Sequence, residues 1–169
     1  MLSEAASHLL EQGCLRRARW CFTRARLVGL QVQMVDKALL NLTGKSVAQF
    51  IATHPNFRES LIVAEAYDKR GPGEWVMPLF QQVVLGGNID YLDELHQAII
   101  LPASTYTEVK SLWMQSNLEE RQDTASNFRE FLQTSRDKAA ALKIATEVGL
   151  TRYAAELTSE YPLLADQQQ

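Results

Sequence analysis

The spacing of apolar residues predicts α-helices along almost the whole chain. Apolar positions recur three and four residues apart within segments of about ten to fifteen residues, and a glycine or proline separates most segments from the next. The nearest candidate for a strand is the apolar run at residues 99–101, but Pro102 ends it immediately. The sequence therefore predicts an all-α fold.

This periodicity, together with residues that begin or end helices, predicts about ten to eleven helices. The expected ranges are 3–12, 14–28, 32–42, 47–53, 56–67, 75–85, 89–99, 106–115, 119–133, 136–148 and 150–160. Asn56 and Ser104 are each expected to cap a helix, because their side-chain oxygens can accept a hydrogen bond from a backbone amide of the first turn. Gly86-Gly87 should end one helix in the left-handed conformation, and Asn88 should begin the next.

Three joints between helices share one pattern, in which an apolar helix is followed by glycine and then by a short amphipathic helix. They read LLEQGCLRRA, VVLGGNIDYL and ATEVGLTRYA, and RARLVGLQVQM repeats the Val-Gly-Leu turn of the third around Gly29. The pattern favours stacked helical hairpins, an α-solenoid-like arrangement, over an irregular helical bundle, which stays open because no strict period survives. We expect one helical domain over residues 1–164 and a polar tail over residues 165–169.

The most informative segment is CLRRARWCFTRARLV, residues 14–28, which has two different helical faces. At 100° per residue, the apolar face consists of Cys14, Leu15, Ala18, Cys21, Phe22, Ala25 and Val28. The opposite face consists of Arg16, Arg17, Arg19, Arg24 and Arg26, with Trp20 and Leu27 in its middle.

Two interpretations of this arginine face stay open. The segment can be the middle helix of a stack, which is buried on two sides and has its edges covered by the aliphatic stems of the arginines. It can instead be a docking surface, in which an apolar anchor ringed by arginines grips acidic side chains or lipid head groups. In the second case the predicted partner-binding residues are Arg17, Trp20, Arg24 and Leu27.

Composition describes a folded domain and limits the classes of partner. The chain has 169 residues, of which 46% are hydrophobic and 22% charged, with a net charge of −3. That balance argues against nucleic acid as the main partner. Cys14 and Cys21 are two helical turns apart, too far for an easy disulfide, and they are expected to be core cysteines in a reducing compartment.

The N-terminus lacks the pattern of a signal peptide, and no stretch reaches the ~18 apolar residues that would cross a bilayer. We therefore expect a cytoplasmic protein that meets membranes only through partners. The triplet Asn41-Leu42-Thr43 resembles a glycosylation acceptor, but that role would require secretion.

Gly44-Lys45-Ser46 has the ending of a phosphate-binding loop, which would imply a nucleotide-dependent enzyme. Such a loop also needs a glycine at the position of Leu39 and a strand leading into it, and the sequence has neither. The preferred interpretation is that Gly44 ends a helix and Ser46 caps the next one. A nucleotide enzyme stays as a minor alternative.

No other catalytic or metal-binding arrangement is apparent. His8, Cys14, Cys21 and His54 lack the close spacing of a structural zinc site. The sequence has no G-x-S-x-G motif, and the acids at residues 90, 93 and 94 suit the first turn of a helix. We predict no catalytic residues, no metal and no cofactor.

Several stretches resemble the C-terminal domain of the spatacsin family. They are the proline-entered helix HPNFRESLIVAEAY, the tryptophan-led helix WVMPLFQQVV and the joint GNIDYLDEL. KAAALKIATEVGLTRYAAEL is similar to the terminal helical hairpin of that family, and residues 14–42 fit the preceding helical pair less distinctively. The linker DKRGPGEW and the tail LLADQQQ do not match the family, and the chain is expected to be a fragment or a short relative of these very long proteins.

The resemblance implies a function that spacing alone does not. Spatacsin-family proteins, which are associated with hereditary spastic paraplegia, are long α-solenoid scaffolds. They partner spastizin and the fifth adaptor-protein complex on late endosomes and lysosomes, where they support lysosome reformation from autolysosomes. The family has no known enzymatic activity in this region. The expected function is therefore a non-enzymatic interaction module, with docking to acidic membranes through the arginine face as an alternative.

Overall fold

The computed structural model describes residues 1–35 and 37–164, and the predicted polar tail over residues 165–169 lies outside them. The described residues form helices and connecting loops without a β-strand. The chain divides into two compact units, Met1–Glu74 and Trp75–Gln169. The predicted all-α fold of helical hairpins is confirmed, whereas the single domain over residues 1–164 stays a prediction.

The first unit is built from two helical hairpins. Its elements are α1 (Leu2–Glu11), α2 (Leu15–Met34), a 3-10 helix (Lys37–Asn41), α3 (Gly44–Thr53) and α4 (Phe57–Ala66). α1 packs against α2, and α3 packs against α4. α2 also packs against α4 and the 3-10 helix, so it contacts most of the unit. Gly13 makes the turn between α1 and α2 at φ +72°, a left-handed conformation that favours glycine.

The second unit contains the remaining helices that the structure describes. A 3-10 turn, Pro72–Trp75, begins in the first unit and ends at the first residue of the second. It is followed by α5 (Val76–Pro78), a π-helix (Leu79–Leu85), α6 (Ile89–Ala98), α7 (Ala103–Gln115), α8 (Leu118–Gln133), α9 (Lys138–Glu147) and α10 (Thr151–Glu160). The π-helix packs against α6, α7 and α8, and α9 packs against α10. Ten α-helices therefore lie in the described ranges, within the predicted ten to eleven.

The predicted helix break at Gly29 is wrong. α2 continues through this glycine and ends only at Val35, whose φ is +57°. A glycine within a helix costs about 1 kcal/mol relative to alanine. Leu27 and Leu30 on either side of Gly29 are both buried, and their packing outweighs that cost. The predicted helices 14–28 and 32–42 are thus one long helix followed by the short 3-10 helix.

Of the caps predicted at Asn56, Asn88 and Ser104, the first two are confirmed and the third is wrong. The Asn56 side chain accepts a hydrogen bond from the Glu59 backbone amide at 3.2 Å, and Asn88 accepts one from the Tyr91 amide at 3.1 Å. Ser104 does not cap α7, because the helix begins one residue earlier at Ala103. The preceding proline already directs the chain in an extended conformation into the first turn.

The π-helix ends against α8 in a close contact. Gly87 has φ +63°, and Asn127 of α8 donates a hydrogen bond from its side-chain amide to the Val84 carbonyl oxygen at 3.0 Å. A Cβ at Gly87 would lie 3.2 Å from the nitrogen of the same Asn127 amide. Glycine is therefore favoured here both by the backbone conformation and by the space available.

We expect Gly87→Ala to lower the free energy of unfolding by about 1–2 kcal/mol, the cost of a left-handed conformation for a residue with a Cβ. For a chain of this size, that loss corresponds to a fall in Tm of about 2–8 °C in thermal unfolding.

Gly29→Ala is the matched control, because a Cβ at Gly29 meets nothing within 4 Å and the backbone there is helical. This variant should raise the stability by about 0.5–1 kcal/mol. Destabilisation by Gly29→Ala would contradict the continuous α2 helix, and an unchanged Tm for Gly87→Ala would contradict the contact with Asn127.

Candidate partner-binding surface

α2 presents the arginine face, and its two halves are buried on opposite sides. In the first half, Ala18 and Cys21 are buried, as is Ala6 of α1, which packs against α2. In the second half, Leu27 is 0% exposed. Leu27 follows Ala18 by nine residues, which at 100° per residue is two and a half turns and places it on the opposite side of the helix. The helix is thus buried on two sides, as the first sequence interpretation expected.

The burial of Leu27 corrects one predicted position. The helical projection placed Leu27 in the middle of the exposed arginine face, but the side chain lies in the core of the first unit. α4 and the 3-10 helix pack against α2 and contribute to that core. Leu27 is therefore not accessible to a partner, and its predicted place on the docking surface is wrong.

Trp20 is the large aromatic side chain that the arginine face does expose, with 58% of its surface open to solvent. The Arg24 guanidinium lies over its ring, with Cζ 5.9 Å from the ring centroid. The same guanidinium lies 5.1 Å from the ring of Tyr67, which follows α4. Arg24 is half-buried between the two rings, and its Nε has no hydrogen-bond partner in the part of the chain that the structure describes. This stack is expected to contribute to stability through cation–π attraction.

Tyr67 is held in place by the 3-10 helix region. Its hydroxyl donates a hydrogen bond to the Leu39 carbonyl oxygen at 2.6 Å and accepts one from the Leu42 amide at 3.0 Å. The Gln31 side chain of α2 accepts a hydrogen bond from the Leu40 amide at 3.1 Å. Trp20 therefore projects from a helix whose neighbours are fixed by specific hydrogen bonds.

Three arginines of α2, Arg16, Arg17 and Arg19, are exposed, and none has an acidic partner among the described residues. The nearby acids are already occupied. Arg26 pairs with Glu65 of α4 at 2.6 Å, and Arg70 pairs with Asp68 at 3.2 Å. The first half of α2 therefore carries a local positive charge in a chain whose net charge is negative.

Two grooves flank this part of α2. The first has a volume of about 280 Å³ and is lined by Leu10, Leu15, Ala18, Arg19, Phe22, Thr23, Arg26 and Glu65. The second has a volume of about 440 Å³ and is lined by Arg16, Arg19, Trp20, Thr23, Glu65, Ala66, Asp68 and Arg70. Arg19, Thr23 and Glu65 line both, so the two grooves adjoin. We call them the apolar groove and the arginine groove.

The structure brings together three of the four predicted partner-binding residues. Arg17, Trp20 and Arg24 follow one another at three- and four-residue spacing on one side of α2, whereas Leu27 lies in the core. Arg17 and Trp20 are exposed and Arg24 is half-buried. Their role in binding a partner stays a prediction.

Sequence reasoning missed the apolar part of this surface. The helical projection assigns Leu15 and Phe22 to the apolar face, but they are 68% and 51% exposed. Leu10 at the end of α1 is also exposed and lies in the same groove. The pattern gave no signal for this, because α1 is short and covers only part of the apolar face of α2.

Gly44-Lys45-Ser46 forms the first turn of α3 rather than a loop entered from a strand. Thr43 caps this helix by accepting a hydrogen bond from the Ser46 amide at 3.3 Å, and the Ser46 hydroxyl contacts that of Thr43 at 2.9 Å. The predictions that Gly44 ends a helix and that Ser46 caps the next one are therefore wrong. Gly44 begins α3, and Thr43 takes the capping role.

The other sequence candidates are placed as follows. Both cysteines are free thiols; Cys21 is buried as predicted, whereas Cys14 is only half-buried. Among the described residues, no group of three or more histidine, cysteine or acidic side chains is placed to hold a metal ion. None of the helices in residues 1–35 and 37–164 is both long and apolar enough to cross a membrane.

Comparisons with known proteins find the spatacsin family, which the sequence resembles. Residues 1–115 match the family described as the spatacsin C-terminus. Mouse spatacsin is 28% identical over 151 residues, which cover 87% of this chain and 6% of spatacsin. A protein from Dictyostelium discoideum is 32% identical over 91 residues, which cover 54% of this chain and 2% of that protein. The chain thus spans a small part of the length of these relatives.

No solved structure matches the chain significantly. The family match begins before α1, contains the whole arginine face of α2 and both grooves, and ends with the last residue of α7. These residues make up more than half of the chain. This protein therefore belongs to the spatacsin C-terminus family.

Proposed function

We propose that this chain is a non-enzymatic protein-interaction module of a trafficking scaffold. In this proposal it acts with spastizin and the fifth adaptor-protein complex on late endosomes and lysosomes, including lysosome reformation during autophagy. It is recruited to these membranes from the cytoplasm through its partners. Membership of the spatacsin C-terminus family supports the proposal, as does an all-α structure built from helical hairpins.

The observation that carries the proposal is the exposed Trp20 beside arginines that have no acidic partner among the described residues. Tryptophan and arginine are the residues most enriched where a few side chains supply most of the binding energy. Here Trp20 projects from a helix packed against α1 and α4, and Arg16, Arg17 and Arg19 surround it without acidic partners in the described chain. Such a surface can engage a partner without a large rearrangement.

The arrangement of the histidines supports a non-enzymatic role. His8 contacts Gln12 at 3.0 Å, and His54 contacts Glu59 at 2.5 Å. The His96 Nε2 has no hydrogen-bond partner among the described residues, and burial is the main cause that lowers the pKa of His96. In the described chain, none of these rings is hydrogen-bonded to a serine or cysteine that it could activate as a nucleophile. The family, moreover, is not a known enzyme family.

Binding to purified spastizin tests the proposal. We expect the wild-type chain to retain spastizin in a pull-down, and we expect Arg17→Glu/Trp20→Ala to weaken that binding at least about tenfold. Both side chains are exposed, so the variant should keep the wild-type circular dichroism spectrum. Arg24 is left unchanged because its packing on Tyr67 would mix an effect on folding with one on binding.

Lys45→Glu in α3 is the control, since this exposed lysine lies outside both grooves. It should bind spastizin like the wild type. Failure of the wild-type chain to bind would overturn the proposed partner. Equal binding by wild type and the double variant would overturn Trp20 and Arg17 as the contact.

A further inference from the structure

The geometry of the two adjoining grooves points to the chemistry of the partner. We infer that they bind an acidic amphipathic segment of a partner protein, with an apolar side chain in the apolar groove and carboxylates on Arg16 and Arg19. This inference rests on the proposed function as an interaction module and specifies what the module recognises.

The apolar groove supplies the anchor site. Leu10, Leu15 and Phe22 line it, and their exposed fractions are 49%, 68% and 51%. Exposed apolar side chains that share one concave wall are typical of a docking site rather than of ordinary surface variation. A volume of about 280 Å³ suits one or two aliphatic or aromatic side chains of a partner, not a whole domain.

The arginine groove fixes the sign of the partner's charge. Arg16 and Arg19 both line it, and Arg19 also lines the apolar groove. Neither has an acidic partner in the described chain, because Glu65 pairs with Arg26 and Asp68 pairs with Arg70. Guanidinium groups without a partner match carboxylates, which they can bind through two parallel hydrogen bonds.

The spacing along α2 fits a partner that is itself helical. Leu15 and Arg19 are one turn apart, and Phe22 follows Arg19 by three residues. A partner helix lying along this side can therefore present an apolar residue and, one turn away, a carboxylate. Trp20 at the edge of the arginine groove adds an aromatic contact.

An acidic protein segment suits this site better than an anionic bilayer does. Glu65 lines both grooves and Asp68 lines one, so two carboxylates lie among the arginines. A flat anionic bilayer cannot enter the concave grooves, and it offers only negative charge opposite those carboxylates. A peptide can instead place polar or basic side chains opposite them, and a helix fits a concave site.

The experiment uses a labelled helical peptide of about four turns with leucines on one face and glutamates flanking them. Fluorescence anisotropy measures its binding to the full 169-residue chain. We expect binding that weakens with added salt. A peptide with glutamine in place of every glutamate should bind at least about tenfold more weakly, a difference of about 1.4 kcal/mol.

The complementary experiment reverses the charge of the arginines on the protein instead of removing the charge of the peptide. Arg16→Glu/Arg19→Glu should weaken the acidic peptide at least about tenfold. Lys45→Glu/Lys143→Glu makes the same change in net charge at two exposed lysines outside both grooves, and should leave the affinity unchanged. Phe22→Ser should weaken both peptides, because it removes a wall of the apolar groove.

Trp20 provides an independent measurement of where the peptide binds. It is 58% exposed, whereas Trp75 and Trp113, the other tryptophans of the chain, are buried. Quenching by acrylamide should therefore act mainly on Trp20, and bound peptide should reduce it. In a Trp20→Phe variant the peptide should cause no such change.

Other results would overturn the inference. These are equal affinity for the glutamate and glutamine peptides, peptide binding that is insensitive to Arg16→Glu/Arg19→Glu, or arginine-dependent binding to phosphatidylserine vesicles without peptide binding. If the acidic peptide does not bind as expected but the Arg16→Glu/Arg19→Glu variant still retains spastizin, the inference is wrong and the proposed function stands. If the peptide binds but spastizin does not, the proposed partner falls and the inference stands.

Discussion

Replacing Phe128 by alanine should lower the free energy of unfolding by about 3–5 kcal/mol, the usual cost of removing a buried aromatic ring. Phe128 of α8 is completely buried in the second unit. Its ring stacks on that of Trp113 in α7 with 4.2 Å between centroids, and it lies at a tilt to Phe131 at 6.3 Å. A folded domain is stable by only about 5–15 kcal/mol, so this single change removes a large share.

The site has little freedom to relax around the cavity that the alanine leaves. The Trp113 indole donates a hydrogen bond to the Thr124 hydroxyl at 2.9 Å, and that hydroxyl donates one to the Glu120 carbonyl oxygen at 2.6 Å. Phe131 is itself stacked on Tyr106 at 4.7 Å. Because both neighbouring rings are held by other contacts, they cannot move freely into the space, and the loss should lie near the upper end of the range.

Denaturant unfolding followed by circular dichroism measures this loss. Leu118→Ala is the control on the same helix, because Leu118 is 64% exposed, and it should change the stability by no more than about 0.5 kcal/mol. Phe128→Leu should fall between the two, since a leucine refills part of the space. A loss below about 1 kcal/mol for Phe128→Ala would contradict the stacked core between α7 and α8.

The sequence predicted several helix ends correctly where local chemistry decides them, although not at Ser104 or Ser46. Gly87 and Gly149 lie at the ends of helices with positive φ, and Asn56 and Asn88 cap the helices that they precede. Each of these outcomes depends on a few neighbouring residues. The helix break predicted at Gly29 is wrong because a glycine destabilises a helix by only about 1 kcal/mol. The burial of Leu27 and Leu30 against residues that are distant in sequence outweighs that cost.

The π-helix over Leu79–Leu85 could not be predicted from the pattern of apolar positions. Its residues fit a regular helix as well, and the expected range 75–85 did not distinguish the two. The contact that accompanies it comes from Asn127, more than forty residues later in the chain, which binds the Val84 carbonyl oxygen. A single helical period carries no information on such a distant partner.

The candidate partner-binding surface shows the same limit. The projection of α2 identified one apolar face, but the helix has buried residues on opposite sides, Ala18 and Cys21 in its first half and Leu27 in its second. The charge pattern therefore placed Trp20 and Arg17 on a side of the helix that is exposed, but it placed the buried Leu27 there as well. Accessibility along a central helix is set by tertiary contacts, which the period of the helix does not contain.

Leu27→Ala should lower the free energy of unfolding by about 2–5 kcal/mol, whereas Trp20→Ala should change it by no more than about 1 kcal/mol. Leu27 is 0% exposed, and its truncation leaves a cavity in the first unit. Trp20 is mostly open to solvent, and its removal costs a distant cation–π contact with Arg24, which keeps its closer contact with Tyr67. The smaller side chain should therefore have the larger effect.

Both variants are measured by denaturant unfolding, and each is then tested against spastizin at a temperature where it is folded. Leu27→Ala should retain spastizin like the wild type, since the side chain cannot reach a partner, while Trp20→Ala should bind more weakly although its stability is nearly unchanged. Exposed Val32, on the same helix, gives a control in Val32→Ala that should alter neither stability nor binding. A large loss of stability from Trp20→Ala would contradict its exposure and return the residue to the core.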